Sequence, residues 1–202
     1  MTPSDKLHLG AYHIVYEGWL NTDVTGQLWI ARVPGLAGLL FKLGRMSPEN
    51  YRRHREGLFK QIRYLNVGKR FPFPDNTFRY VFSSHMLEHL YPDEAEFCLR
   101  EIHRVLRPGG LVRTVLPDLD QIVASYDPRN PAATLESVFQ GDSRRTHERA
   151  RHWWHYNETS LRALLERIGF SQIERCAYRQ GRCADVEIID SRPLSLFMEA
   201  VK

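Results

Sequence analysis

The 202-residue chain has little cysteine, no long apolar run and no strong excess of one charge. Cys98, Cys176 and Cys183 are an odd number at uninformative spacing, so a reduced, cytoplasmic protein is expected rather than a disulfide scaffold. The uncharged, largely apolar stretch "VPGLAGLLF" between Arg32 and Lys42 falls far short of the roughly 20 residues a membrane span needs. The opening "MTPSDKLHLG" enters a strand pattern at once, so no signal peptide is expected. Lysine and arginine number 28 against 24 acids, a net charge of +4. That is weaker than the dense basic patch of a nucleic-acid binder, and no nucleic-acid partner is expected. No Gly-x-Gly-x-x-Gly occurs, which sets nicotinamide chemistry aside. Repeats and low-complexity tracts are absent as well.

What remains is a chain that is 43% hydrophobic and long enough for one domain over 1–202 with one sizeable core. Apolar runs of strand length, "KLHLG", "WLNTDV", "IRYLNV", "FRYVFSS" and "LVRTVLP", alternate with helical periods. In "DEAEFCLREIHRVL", Ala95, Cys98, Leu99, Ile102, Val105 and Leu106 mark one buried helix face, and "RPGG" at 107–110 is expected to stop it. "ETSLRALLERI" reads as a second helix, capped by Asn157 and ended by Gly169. Two last strands are expected near "SQIERCAYR" and "LSLFMEAVK". Such alternation predicts an α/β fold, a mainly parallel sheet with helices on both faces. Its ligand belongs beyond the carboxyl ends of the strands, near the switch in strand order.

One interval is too short. About nine residues separate Gly10 from Leu20, where a parallel crossover usually takes a dozen or more, so the first crossover helix must be missing or reduced to a turn. Residues 26–58 form a long insertion instead. Its mixture of apolar and basic residues suggests a substrate lid first, a peripheral membrane contact through 28–58 second, and a homodimer surface third.

The string "RFPFPDNTFRYVFSSHMLEHL", followed by "LREIHRVLRPGGLVRTVLPDLD", resembles the class I S-adenosylmethionine-dependent methyltransferases of type 11. "HYNETSLRALLERIGFSQIE" resembles that family's last helix and sixth strand, and "RPLSLFMEAVK" its antiparallel seventh strand. The resemblance implies a Rossmann-like, seven-stranded sheet with an antiparallel last strand and a helical insertion after the second. It further resembles a compact bacterial subgroup, some of whose members are tied to polysaccharide or glycolipid biosynthesis. A small-molecule, oligosaccharide or glycolipid acceptor is therefore expected, O-methylated in the cytoplasm or at the inner membrane face.

The resemblance also implies the cofactor residues. Gly10, Ala11 and Tyr12 follow the first strand, with Tyr12 where a second glycine is usual. Asp23 would accept bonds from the ribose hydroxyls, Asn66 would hold the adenine amino group, and Arg70 and Phe71 would flank the ring. Ser83, Ser84 and His85 would face the sulfonium region. Alone, Gly-Ala-Tyr also reads as a plain turn and Asp23 as a cap. The degenerate loop keeps open a second reading, a non-catalytic methyltransferase-like binding module.

For the chemistry, a hydroxyl acceptor needs a base, and histidine is the most frequent one. His152, which aligns with a histidine of the resembling group, and His85 are the candidates, with Asp118 placed to orient either. "HERARHWWHY" nearly spells a zinc-protease motif, yet His147 and His152 lie about 140° apart around a helix. His152 and His155 could share a face, but the sequence offers no third ligand, so no metal is expected. His89 and His103 read as packing or surface residues, and Arg144, Arg145, Arg149 and Arg151 as a solvated helix face. Trp153 and Trp154 read as core or as walls for sugar rings.

Overall fold

A computed structural model describes residues 4–139 and 151–202. Strands β1 (Lys6–Leu9) and β2 (Leu20–Asp23) pair in parallel, Leu7 opposite Leu20. No helix joins them. Residues 10–19 cross over in turns, and side chains replace the missing helical backbone bonds. Asn21 accepts from the Tyr16 N–H and donates to the carbonyls of Tyr16 and Trp19. The buried His8 completes this knot, its Nδ1 donating to Asn21 Oδ1 over 2.9 Å.

The insertion folds as three short helices, α1 (Gln27–Arg32), α2 (Leu36–Lys42) and α3 (Pro48–Arg55), then a 3-10 turn at Leu58–Gln61. Leu28, Phe59 and Ile62 root it in a small apolar cluster with Ala11. Strand β3 (Arg63–Tyr64) is only two residues long. β4 (Phe78–Ser84) precedes a 3-10 turn at Leu87–His89 and helix α4 (Pro92–Val105). β5 (Leu106–Leu116) follows α4 without a loop. The expected stop at "RPGG" is therefore corrected: the helix ends at Val105, and Arg107–Gly110 open the strand, Gly109 taking φ +73° where its register with β4 shifts. Helices α5 (Leu119–Ala124), α6 (Pro131–Phe139) and α7 (Glu158–Ile168) come next. Asn157 caps α7 and Gly169 ends it at φ +112°, as the sequence predicts. Strand β6 (Ser171–Cys176), helix α8 (Val186–Ile189) and strand β7 (Leu196–Val201) complete the chain.

The sheet order is β3-β2-β1-β4-β5-β7-β6, with β7 antiparallel to both neighbours. The switch in strand order falls between β1 and β4. Alternate side chains serve the two faces. Leu7, Leu9, Val81, Val112 and Met198 pack with α4 and α7 in the main core. Phe82, Leu111, Val115 and Phe197 face the other way, onto Trp19, Cys183 and Ile189. On that second face Arg113 is fully buried, forked onto Asp190 at 2.9 and 2.6 Å and bonded to Glu199 at 2.7 Å. Asp190 and Glu199 also accept backbone N–H groups of Arg179, Arg182 and Cys183, so this ion cluster shapes the loop that covers it.

Candidate active site

The loop after β1 keeps a glycine-loop backbone with fewer glycines. Gly10 sits at φ +73°, and a Cβ there would lie 2.8 Å from Met86 Cγ. Tyr12 adopts φ +46°, the left-handed region where the missing glycine would be at ease. Asp23 holds it there. One carboxylate oxygen accepts from the Tyr12 N–H at 2.8 Å, the other from the Thr25 N–H at 2.7 Å. Each oxygen keeps a lone pair for a further donor. The Tyr12 ring is 43% exposed, edge-on to His13 and 5.8 Å beneath the Arg53 guanidinium of α3. Arg53 also lies 3.1 Å from His13, so α3 of the insertion touches the loop after β1.

The other sequence-derived residues divide. Ser83 and Ser84 end β4 beside β1, with Ser83 opposite Leu9. The Asn66 side-chain oxygen accepts from the Gly68 N–H at 3.0 Å and has one lone pair left. The Ala11 and Phe71 side chains are both buried in apolar clusters, which leaves their backbone as the part that could meet a ligand. The Phe71 N–H donates to Glu101 at 2.7 Å. A cleft of about 610 Å³ opens between α1 and the Leu58–Gln61 turn, but Gly10, Asp23 and Asn66 are not among its lining residues.

His85 follows β4 at φ +49°, a strained value for a residue with a Cβ. Its Nε2 lies 3.1 Å from Ser195 Oγ and its Nδ1 3.1 Å from Glu88 Oε1. Residues 152–156 then cross the strand ends. The N–H of Trp153 donates to the Glu88 carbonyl at 2.8 Å, and Tyr156 bridges to Asp118 past β5. That path brings buried His152 to 4.0 Å from Glu88 Oε1. Burial pushes His152 down to about 4, only partly opposed by Glu88, so the ring is neutral near pH 7.

Asp118 orients neither histidine. Its carboxylate accepts from the Asp120 N–H, Gln121 and Arg175. Glu88, fully buried, is the carboxylate that lies near both, although neither of its oxygens is hydrogen-bonded among the described residues. His89, expected to be a packing or surface residue, lies edge-on to His152 with ring centroids 5.0 Å apart and belongs to the same cluster. "LEHL" carried both residues in plain sight. Only the fold shows that they meet a segment 60 residues downstream. Trp154 is exposed and Trp153 lies 4.9 Å from Tyr91, so neither tryptophan is core. His147, Arg144, Arg145 and Arg149 lie outside the described residues.

Residues 46–114, which contain β3, β4, α4 and most of β5, match the family described as "Methyltransferase domain". That segment is similar to the type 11 methyltransferases, and the 3-2-1-4-5-7-6 sheet with its antiparallel β7 is a Rossmann-like methyltransferase fold. The chain is 27% identical over 144 residues to the ubiquinone/menaquinone biosynthesis C-methyltransferase UbiE of Citrobacter koseri, covering 67% of this chain and 54% of that one. It is 35% identical over 81 residues to the probable methyltransferase ltbC of Aspergillus luteorubrus, covering 40% and 26%. The chain thus spans about half or less of the length of these curated relatives. A SAM-dependent methyltransferase of Methanosarcina mazei shares the fold at a TM-score of 0.55 and 16% identity, over 98% of this chain and 91% of that one. The cofactor of this class is S-adenosylmethionine. Residues of this chain fit that cofactor: a Cβ at Gly10 would meet Met86, and the Asp23 carboxylate keeps lone pairs at the end of β2.

Proposed function

We propose that the chain transfers the methyl group of S-adenosylmethionine to a hydroxyl oxygen of a sugar-containing acceptor, free or lipid-linked. The observation that carries the reading is the convergence of Gly10, Asp23 and the end of β4 on the β1/β4 switch point, with His85 and the buried His152 just beyond. When bound, the cofactor supplies an electrophilic methyl carbon. Asp23 would hold its ribose, Asn66 its adenine edge, and the Gly10–Tyr12 backbone with Ser83 and Ser84 its methionine portion.

His85 and His152 serve the acceptor end. A free base works best with a pKa near the operating pH, so a ring held at about 4 is weakly suited to deprotonating a hydroxyl unaided. His85, bridging Ser195 and Glu88, fixes the floor of that end. Trp154 and the Tyr91–Trp153 pair add aromatic surface of the kind on which sugar rings stack. The insertion supplies the lid, through Arg53 on the Tyr12–His13 loop. Exposed Trp29, Val33, Leu39 and Leu43 beside Arg32 and Lys42 suit a lipid-linked acceptor presented at an anionic membrane surface. No described helix is long and apolar enough to cross a membrane.

The test has two steps. Calorimetry should show binding of S-adenosylmethionine and of its demethylated product; absence of both would favour the non-catalytic module. Methyl-labelled donor is then incubated with a panel of free sugars, nucleotide sugars and glycolipids. Label recovered as O-methyl sugar supports the proposal, and label found only on carbon rejects it.

A further inference from the structure

The cluster above the strand ends has too few partners for its polarity. Glu88 is fully exposed to none of the solvent (0%), yet neither carboxylate oxygen is hydrogen-bonded among the described residues. His152 is 9% exposed, and its Nδ1 is likewise buried without a partner. An ionised carboxylate out of water without partners is costly, and such groups are normally paired or coordinate a metal. The nearest cation candidate, His85 Nδ1, lies within ion-pair distance at 3.1 Å but outside hydrogen-bond geometry.

The tautomers are informative. The Arg151 carbonyl can only accept, so its 2.9 Å bond to His89 Nδ1 puts the proton there and leaves the His89 Nε2 lone pair free. A histidine that gives one N–H to a backbone carbonyl while the other nitrogen stays bare is set up as metal ligands usually are. One potential ligand atom each from Glu88, His89 and His152 lie within 4.8 Å of one another. Zinc bonds of about 2.0–2.1 Å in a tetrahedron separate ligand atoms by about 3.4 Å, so closure needs side-chain movement of about an ångström. Two segments distant in the chain are already fastened together for it, by the Trp153 and Trp154 N–H groups on the Glu88 carbonyl.

We propose that Glu88, His89 and His152 form a binding site for a divalent transition metal, zinc by ligand type, with a fourth position open. Two imidazoles and one carboxylate suit zinc better than magnesium or calcium, which favour oxygen ligands. Three protein ligands with an open position are the pattern of a catalytic rather than a structural site. The site stands on these residues alone and does not depend on methyl transfer. If both readings hold, the metal would polarise the acceptor hydroxyl.

The experiment uses the full chain, stripped with chelator and dialysed, then titrated with zinc chloride against a chromophoric competitor. Cobalt(II) is added separately to read coordination from its visible absorption. One equivalent of zinc should bind, with a tetrahedral cobalt spectrum. His89→Gln, at a partly exposed position, should fold as wild type and weaken zinc binding about tenfold or more, and Glu88→Gln at least as much. His103→Gln, remote from the cluster, should leave it unchanged. Zinc affinity equal in wild type and in folded His89→Gln would overturn the site, as would no stoichiometric binding by wild type. Cofactor calorimetry on the same preparations keeps this outcome separate from that of the methyltransferase reading.

Discussion

A single side chain can carry a pH dependence that the whole molecule then shows. His8 is buried beside Asn21, and burial lowers it from the usual 6.5 to about 4. The folded state therefore keeps His8 neutral, while the unfolded chain takes up a proton between these values. Its contribution is present above about pH 6.5 and is lost as pH falls toward 4, about 3 kcal/mol in all. Urea unfolding at pH 7 and pH 4 should show that His8→Gln removes this share of the acid sensitivity. An unchanged pH slope in the variant would mean that the ring is not buried neutral. Tyr12 makes a second prediction at this scale. Its left-handed backbone is one that glycine adopts freely, so Tyr12→Gly should leave S-adenosylmethionine affinity within about tenfold. Asp23→Asn should do the opposite. It keeps the size of the side chain but loses charge-assisted bonds, which weakens affinity by about 1.5–3 kcal/mol in calorimetry.

Elements behave as the apolar periods foretell wherever one face is buried continuously. α4, α7, β4 and β7 were legible from spacing and caps, because their core faces leave one register possible. β3, with two residues, and the helix-to-strand passage at "RPGG" were not, since both depend on neighbouring strands rather than on local pattern. At the candidate site, Gly10, Asp23 and His152 could be picked out one by one. The assembly of Glu88 and His89 with His152 could not, because it is made by a backbone contact between segments some 60 residues apart. The insertion falls between these cases: its helices have almost no buried face of their own and lean on Leu28, Phe59 and Ile62. Those three anchors lie outside residues 30–56. Replacing that segment with a short Gly-Ser linker should therefore preserve cooperative unfolding and cofactor binding while abolishing acceptor binding. Retained acceptor affinity would show that the lid is not one.

The second face of the sheet sets an ion cluster inside an apolar layer. Arg113, Asp190 and Glu199 are hydrogen-bonded to one another and out of water, and removing the cation strands two carboxylates. Arg113→Met should cost about 3–5 kcal/mol in chemical denaturation, whereas a triple apolar replacement should cost far less. The same region ties stability to the order in which the protein is made. β7 lies between β5 and β6 but is translated after both, so its slot stays empty until residues 196–201 have left the ribosome. Until then β5 presents a long unpaired edge, and Glu199 is not yet there to share the charge of Arg113. A nascent chain stalled before Leu196 is thus a template for joining another stalled chain. On a crowded polysome, such partners are always near. Pairing of Leu196–Val201 with both neighbours is the step that removes this edge.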